Sequence, residues 1–232
     1  MIALPPKFVA FDLETTGLIN QKDEIIEIGA VKFTVVTDEK GRVVPRNLGE
    51  FNTLVKPNML IPAEASNVNH ITNDMVENAP PIADCLRKFT AFCGQGTILL
   101  AHNANFDASF LRVAYAKNPQ LVPGNPVVDS LAISKAILPE LPNHKLGFMA
   151  EQFMRRREFA MKIDPEKMHR AVYDCEMLME VFVALMRRRF KEKDWEMANI
   201  MASLAKYKGI PLSCGPASTS TPSELAVNWL RY

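Results

Sequence analysis

The sequence contains no Cys-x-x-Cys pair, no local cluster of cysteine with histidine and no apolar run long enough to cross a membrane. Its four cysteines, Cys85, Cys93, Cys175 and Cys214, stand far apart. That excludes the usual zinc-ligand spacings and fits reduced, mostly buried thiols. The opening residues, MIALPPKF, lack a basic start followed by a long apolar segment, so no secretory signal is expected. An excess of one charge is missing too, the formal net charge being +1. A broad basic coat for polyanions is thereby excluded, and any nucleic-acid contact has to be local, at an end or in a cleft. Internal repeats are absent. These absences point to a cytoplasmic enzyme without membrane contacts.

What is present is enough apolar material, 48% of 232 residues, for one sizeable core. That core is expected within residues 1–210. Residues 211–232 read as a linker-like tail, because LSCGPASTSTPS is small, Pro-containing and uncharged, and ELAVNWLRY after it offers Leu225, Trp229 and Leu230 as apolar anchors for a protein partner. The most informative stretch is KFVAFDLETTG, Lys7 to Gly17. Phe8, Val9, Ala10, Phe11 and Leu13 make a near-continuous apolar run, which suits a strand covered on both faces. Asp12 and Glu14 interrupt it on the same side, with Cα atoms roughly 6.6 Å apart. Two such carboxylates repel each other and lose hydration unless a cation sits between them, and hard divalent ions prefer carboxylate oxygen. A bare Asp-x-Glu also suits a strand end that caps a turn or meets solvent.

Glu24 to Phe33 and Phe51 to Lys56 read as two further strands, with EKGR at Glu39 to Arg42 as a turn between them or an extension of one. Short connections favour an antiparallel meander. Residues 57–81 read as ordered loop with short helical turns. Ile82, Leu86, Phe89 and Cys93 fall at helical spacing and stop at Gly94. A buried strand, Thr97 to Ala101, precedes a helix from near Phe106 with Phe110, Val113 and Ala114 on one face. VVDSL follows at Val127 to Leu131, then helical pieces over Ala132 to Leu138 and Leu146 to Phe153, and a long helix from about Arg170 to Phe190. Asp194 to Lys208 reads as one more helix. Alternation of strand and helix in the second half predicts parallel pairing there, and so a mixed α/β sheet.

Two other segments carry candidate chemistry. AHNANFDASFLR, Ala101 to Arg112, sets Asp107 in the first turn of a helix, where the dipole favours an acid, and sets His102 and Asn103 at a cleft mouth. In HRAVYDCEML, His169 and Asp174 are five residues apart, about 500° of helix, so both cannot share a helical face. His169 therefore lies at or before the helix start. In order and separation, FDLETTGL, HNANFDASFL and HRAVYD resemble the three motifs of the DEDDh 3′→5′ exonucleases, a family that includes the proofreading epsilon subunits of bacterial replicative polymerases. The resemblance runs from about Phe8 to Met186, and NHIT and VVDSLAISK are similar to the intervening segments.

The resemblance implies a ribonuclease H-like fold, a mixed five-stranded sheet with the meander first and the parallel strands after, flanked by helices. It makes Asp12, Glu14, Asp107 and Asp174 the ligands of two Mg²⁺ or Mn²⁺ ions and His169 the general base, all five being catalytic. Asp12 would bridge both ions, and Asp107 would support the second partly through water. An imidazole, with an ordinary pKa near ~6.5, can accept a proton at neutral pH. Thr15, Thr16, Leu18, His70, Asn103 and Phe106 would contact the terminal nucleotide. Arg155, Arg156 and Arg157 could steer the strand, whereas Arg187, Arg188 and Arg189 read as a solvated helix end. The implied substrate is nucleic acid with a free 3′ end, DNA ahead of RNA, with a polymerase as a candidate partner through the tail. An RNA-trimming enzyme of the same chemistry and a non-catalytic nucleic-acid-binding module are the alternatives.

Overall fold

The apolar run at the start of the chain forms β1 (Lys7–Thr15) in the computed structural model, which describes residues 6–156, 158, 164, 168–189, 204 and 212. β2 (Ile25–Thr37) pairs with one edge of β1 antiparallel, and β4 (Thr97–Ala101) pairs with the other edge in parallel. β3 (Val43–Leu54) extends the meander and β5 (Val127–Asp129) the parallel half, giving the order β3-β2-β1-β4-β5. The expected mixed five-stranded sheet is thus present, with β1 at its centre.

Alternation along β1 sorts its side chains into two cores. Val9, Phe11 and Leu13 enter one with Phe89 of α3 (Ile82–Cys93) and Leu111 of α4 (Ala104–Ala116). Phe8 and Ala10 enter the other, with residues of α5 (Ser130–Ile137), α6 (Leu146–Arg155) and α7 (Ala171–Arg189). There the ring of Phe8 lies 5.1 Å from that of Phe182, and burying such a ring contributes roughly 1.5–3 kcal/mol. Asp12 and Glu14 continue this second series. Both acids therefore project toward α7 at the C-terminal end of the strand.

α7 reaches them because β2 carries a glycine opposite Asp12. A Cβ on Gly29 would stand 2.5 Å from the backbone of Ala171 and Val172, closer than atoms can pack. The missing side chain lets the first turn of α7 rest on the sheet, and the Cys175 thiol donates to the Gly29 carbonyl at 3.4 Å. Between β3 and α3, residues 57–81 hold α1 (Ala63–Asn69) and α2 (Asn73–Val76), the short helical turns expected there.

Several expectations need correction. β2 runs on to Thr37 and β3 begins at Val43, so the ribbon extends to the Glu39–Arg42 turn. Val35 and Val36 favour strand, and Pro45 is tolerated because β3 is an edge strand. α4 starts at Ala104, two residues before the expected point, and Val113 is exposed while Leu111 and Tyr115 are buried. Arg187 and Arg188 do not form a solvated end. Arg188 makes two hydrogen bonds of 2.6 and 2.7 Å to the Glu158 carboxylate and lies 4.5 Å over the Phe153 ring, and Arg187 donates to the Glu158 carbonyl. The expected helix at 194–208 and the tail from 211 lie outside the described residues, except that Leu204 and Leu212 are buried in the α7-side and α4-side cores respectively. Cys85, Cys93 and Cys175 are free and buried as expected. Among the described residues no helix is long and apolar enough to cross a membrane.

Candidate active site

Three chain segments meet at the C-terminal end of β1. Asp12 and Glu14 come from the strand and Asp174 from the first turn of α7, and each offers a ligand oxygen within 4.8 Å of the others. Asp107, in the first turn of α4, approaches from the opposite side. β1 pairs with β4 only as far as Ala10, so the Leu13 N–H beyond that point needs another acceptor, and Asp107 Oδ1 takes it at 3.1 Å. That bond fixes the fourth acid beside the strand end. Asp107 stands outside the close group of three.

The arrangement is unfavourable for the acids alone. Burial, followed by the charges of Asp107, Asp174, Glu14 and Glu27, drives the Asp12 carboxyl well above the ordinary range. Burial and then Asp174 push Glu14 up to about 9. Burial raises Asp107 to about 7 and Asp174 to about 7, the latter partly offset by the backbone N–H of His169. Asp174 Oδ1 is buried without any hydrogen-bond partner. Converging oxygens, an orphaned lone pair and crowded negative charge are together the environment a hard divalent cation satisfies. The residues present fit such a metal.

Among the described residues, the only non-glycine residues with positive φ are His70 at 60°, Asn103 at 65° and His169 at 62°. Left-handed backbone costs a side-chain-bearing residue about 1–2 kcal/mol and collects at functional positions. All three were singled out by the sequence motifs. His169 precedes α7 as its spacing required, and it is exposed. Asn103 caps α4 and is held by its own N–H donating to Asp129 Oδ1 at 3.0 Å. His70 ends α1, and its neighbour Asn69 donates to the Thr15 carbonyl at 3.3 Å, tying that turn to the end of β1.

Other expected contacts are placed differently. The Thr15 hydroxyl donates to Gly17 O and that of Thr16 to the Met59 sulfur, so both shape the loop after β1 from within. Leu18 beside them is 82% exposed. Phe106 is half-buried, 5.1 Å from Phe110, one residue from Asp107. His102 is structural: one ring nitrogen is 2.8 Å from Ser130 Oγ and the other 2.8 Å from the His144 carbonyl, and burial holds its pKa below the usual value. Arg155, the last residue of α6, pairs at 3.8 Å with Glu151 one turn back.

Sequence reasoning missed Glu27 and Arg170. Glu27 has no exposed surface, stands opposite Glu14 in the sheet and pairs with Arg170 at 2.9 Å. The signal was available, since EIIEIGA places an acid inside an apolar run where a buried charge needs a partner.

With this geometry in place, residues 9–182 match the model of the RNase_T exonuclease family. The chain belongs to this exonuclease family. It is 37% identical over 187 residues to the DNA polymerase III subunit epsilon of Treponema pallidum, covering 80% of this chain and 79% of the relative. A DNA polymerase III PolC-type from Caldanaerobacter subterraneus is 38% identical over 186 residues, 80% of this chain but only 12% of that much longer relative. Among solved structures, the nuclease domain of 3′hExo, described as a DEDDh family member bound to rAMP, is similar with a TM-score of 0.61 at 18% identity, over 79% of this chain and 92% of that one. That likeness shows the ribonuclease H-like fold. The chain is therefore an exonuclease.

Proposed function

We propose that this exonuclease removes nucleotides from the 3′ end of DNA, with two Mg²⁺ or Mn²⁺ ions held by Asp12, Glu14, Asp107 and Asp174 and with His169 as general base. The observation that carries the reading is the trio Asp12, Glu14 and Asp174, oxygens within 4.8 Å, with Asp174 Oδ1 buried and unpartnered. When bound, the ions would make water a better nucleophile and offset charge on the phosphate and leaving oxygen. The protein's own residues do the rest. His169 accepts the proton of the attacking water from an exposed position beside Asp174. His70 and Asn103 hold the terminal nucleotide, Leu18 and Phe106 meet its base, and the loop at Thr15 and Thr16 frames them.

DNA is favoured over RNA because a relative of comparable length, at 37% identity, is a DNA polymerase III subunit. The same likeness supports proofreading or repair in the cytoplasm beside a polymerase. Residues 211–232 are the proposed tail through which such a partner would be engaged, with residues 1–210 as the catalytic domain, apart from Leu212, which is buried in the α4-side core. Labelled single-stranded DNA and RNA of equal length, incubated with Mn²⁺ or with EDTA, test the reading. Mononucleotides released in Mn²⁺ from DNA in preference are expected. Release from RNA alone would make it the RNA-trimming enzyme, and binding without release a non-catalytic module.

A further inference from the structure

We propose that Arg170, clamped by the buried carboxylate of Glu27, is a positioning residue for His169; the inference rests on His169 being the proton acceptor proposed above. Glu27 is directly opposite Glu14 across the β1–β2 ladder and has no exposed surface. Like charges facing each other across strands are unfavourable, so an acid retained there needs a specific cation. Arg170 supplies it. Its Nη2 donates to Glu27 Oε1 at 2.9 Å and its Nε to Oε2 at 3.4 Å, while the Ala171 N–H donates to the same Oε2 at 3.3 Å.

One carboxylate from the sheet therefore grips both the side chain of residue 170 and the backbone of residue 171. Ala171 opens α7, where an N–H has no acceptor within the helix and a negative charge is favoured by the dipole. Gly29, two residues further along β2, lets that backbone close onto the sheet. The two-point contact suits a guanidinium, whose planar fork fixes direction as well as distance. His169 is the next residue outward, exposed and with φ of 62°. An imidazole on such a residue is aimed by the backbone it hangs from, and that backbone is anchored at 170 and 171.

Asp174 has a second hold on the sheet besides the clamp. Its N–H donates to the Arg170 carbonyl at 3.0 Å and its carboxylate accepts from the His169 N–H, but Cys175 beside it is held separately, its thiol donating to the Gly29 carbonyl at 3.4 Å. Losing the clamp should misplace the base while leaving the metal ligands together.

The test is a cycle of parent, Arg170→Ala, His169→Ala and the double variant, assayed for kcat and KM on single-stranded DNA and for the thermal shift given by Mn²⁺. A base displaced by about an ångström costs on the order of 10²-fold. Arg170→Ala should lower kcat about 10–100-fold with KM and the Mn²⁺ shift close to the parent's. On the His169→Ala background it should cost nothing further. Parental kcat, or a loss that multiplies that of His169→Ala, would overturn the proposal, and a diminished Mn²⁺ shift would show the pair acting through Asp174 instead. If Arg170→Ala does not fold, Arg170→Lys keeps the charge without the fork and is read in the same cycle, with a smaller but equally non-additive loss expected. His169→Ala at parental turnover would bring down the base assignment itself. A slow His169→Ala beside a parental Arg170→Ala brings down only the clamp.

Discussion

At the scale of single residues, the acids around Asp12 serve metal binding at the expense of the metal-free fold. Asp12→Asn keeps the shape and removes one charge from a crowded group, so it should abolish cleavage. In EDTA at pH 8 the variant should melt no lower than the parent, because the Asp12 carboxyl is opposed there by burial and by four neighbouring acids. Adding Mn²⁺ should raise the parent's melting temperature and shift the variant much less, since a ligand bound only by the native state stabilises it. Measurable turnover by Asp12→Asn would remove Asp12 from the metal site. His169 separates from these acids by experiment. His169→Ala should lower kcat by about 10²–10⁴-fold while the Mn²⁺ shift persists, and the parent's rise in rate with pH should disappear. An unchanged pH–rate profile would mean that His169 orients the phosphate or is structural.

Among the elements, the contact of α7 with β2 decides whether the three motifs become one site. Gly29→Ala would force a methyl to within 2.6 Å of three atoms of Ala171 and Val172, two of them backbone, which a rotamer change cannot relieve. Helix and sheet would have to separate locally. A loss of about 1–3 kcal/mol is expected for such overpacking, read from urea unfolding, together with weaker Mn²⁺ binding because Asp174 would withdraw from Asp12 and Glu14. A variant of parental stability would show that α7 has freedom to shift there.

For the whole molecule, the raised carboxyls set a pH dependence with a definite sign. Asp107 and Asp174 titrate at about 7 and Glu14 at about 9 in the metal-free fold, against ordinary values of 3.8 and 4.5. Between those limits the folded chain holds more protons than the unfolded one, so stability is greatest below the ordinary values and falls as pH rises through the window. Melting in EDTA should therefore decline from about pH 4.5 toward 9, and saturating Mn²⁺ should flatten the decline by binding the ionised form. A metal-free melting curve that rises over this range would contradict the crowding. Truncation belongs to this scale as well. Because Leu212 is buried in the α4-side core, a chain ending at Leu212 should keep both its fold and its activity on short oligonucleotides, whereas one ending at Ile210 should melt lower.

The order of elements, the two-faced burial of β1 and all five catalytic candidates were legible in the sequence, for local reasons. A strand's period of two places Asp12 beside Glu14, helical rotation pushes His169 outside α7, and glycine and proline mark the breaks. What local pattern could not contain were contacts between residues far apart in the chain. Glu27 meets Arg170 across 143 positions and Asp107 meets the Leu13 N–H across 94. Arg188, which reads as a solvated helix terminus, is captured by Glu158 and Phe153. His102, which reads as a cleft residue, has both ring nitrogens engaged by Ser130 and His144. In each case the residue type fixed what the group could bind. Only the packing of distant segments decided which partner it found, because burial and hydrogen bonding there are properties of the assembled neighbourhood rather than of the neighbouring residues in the chain.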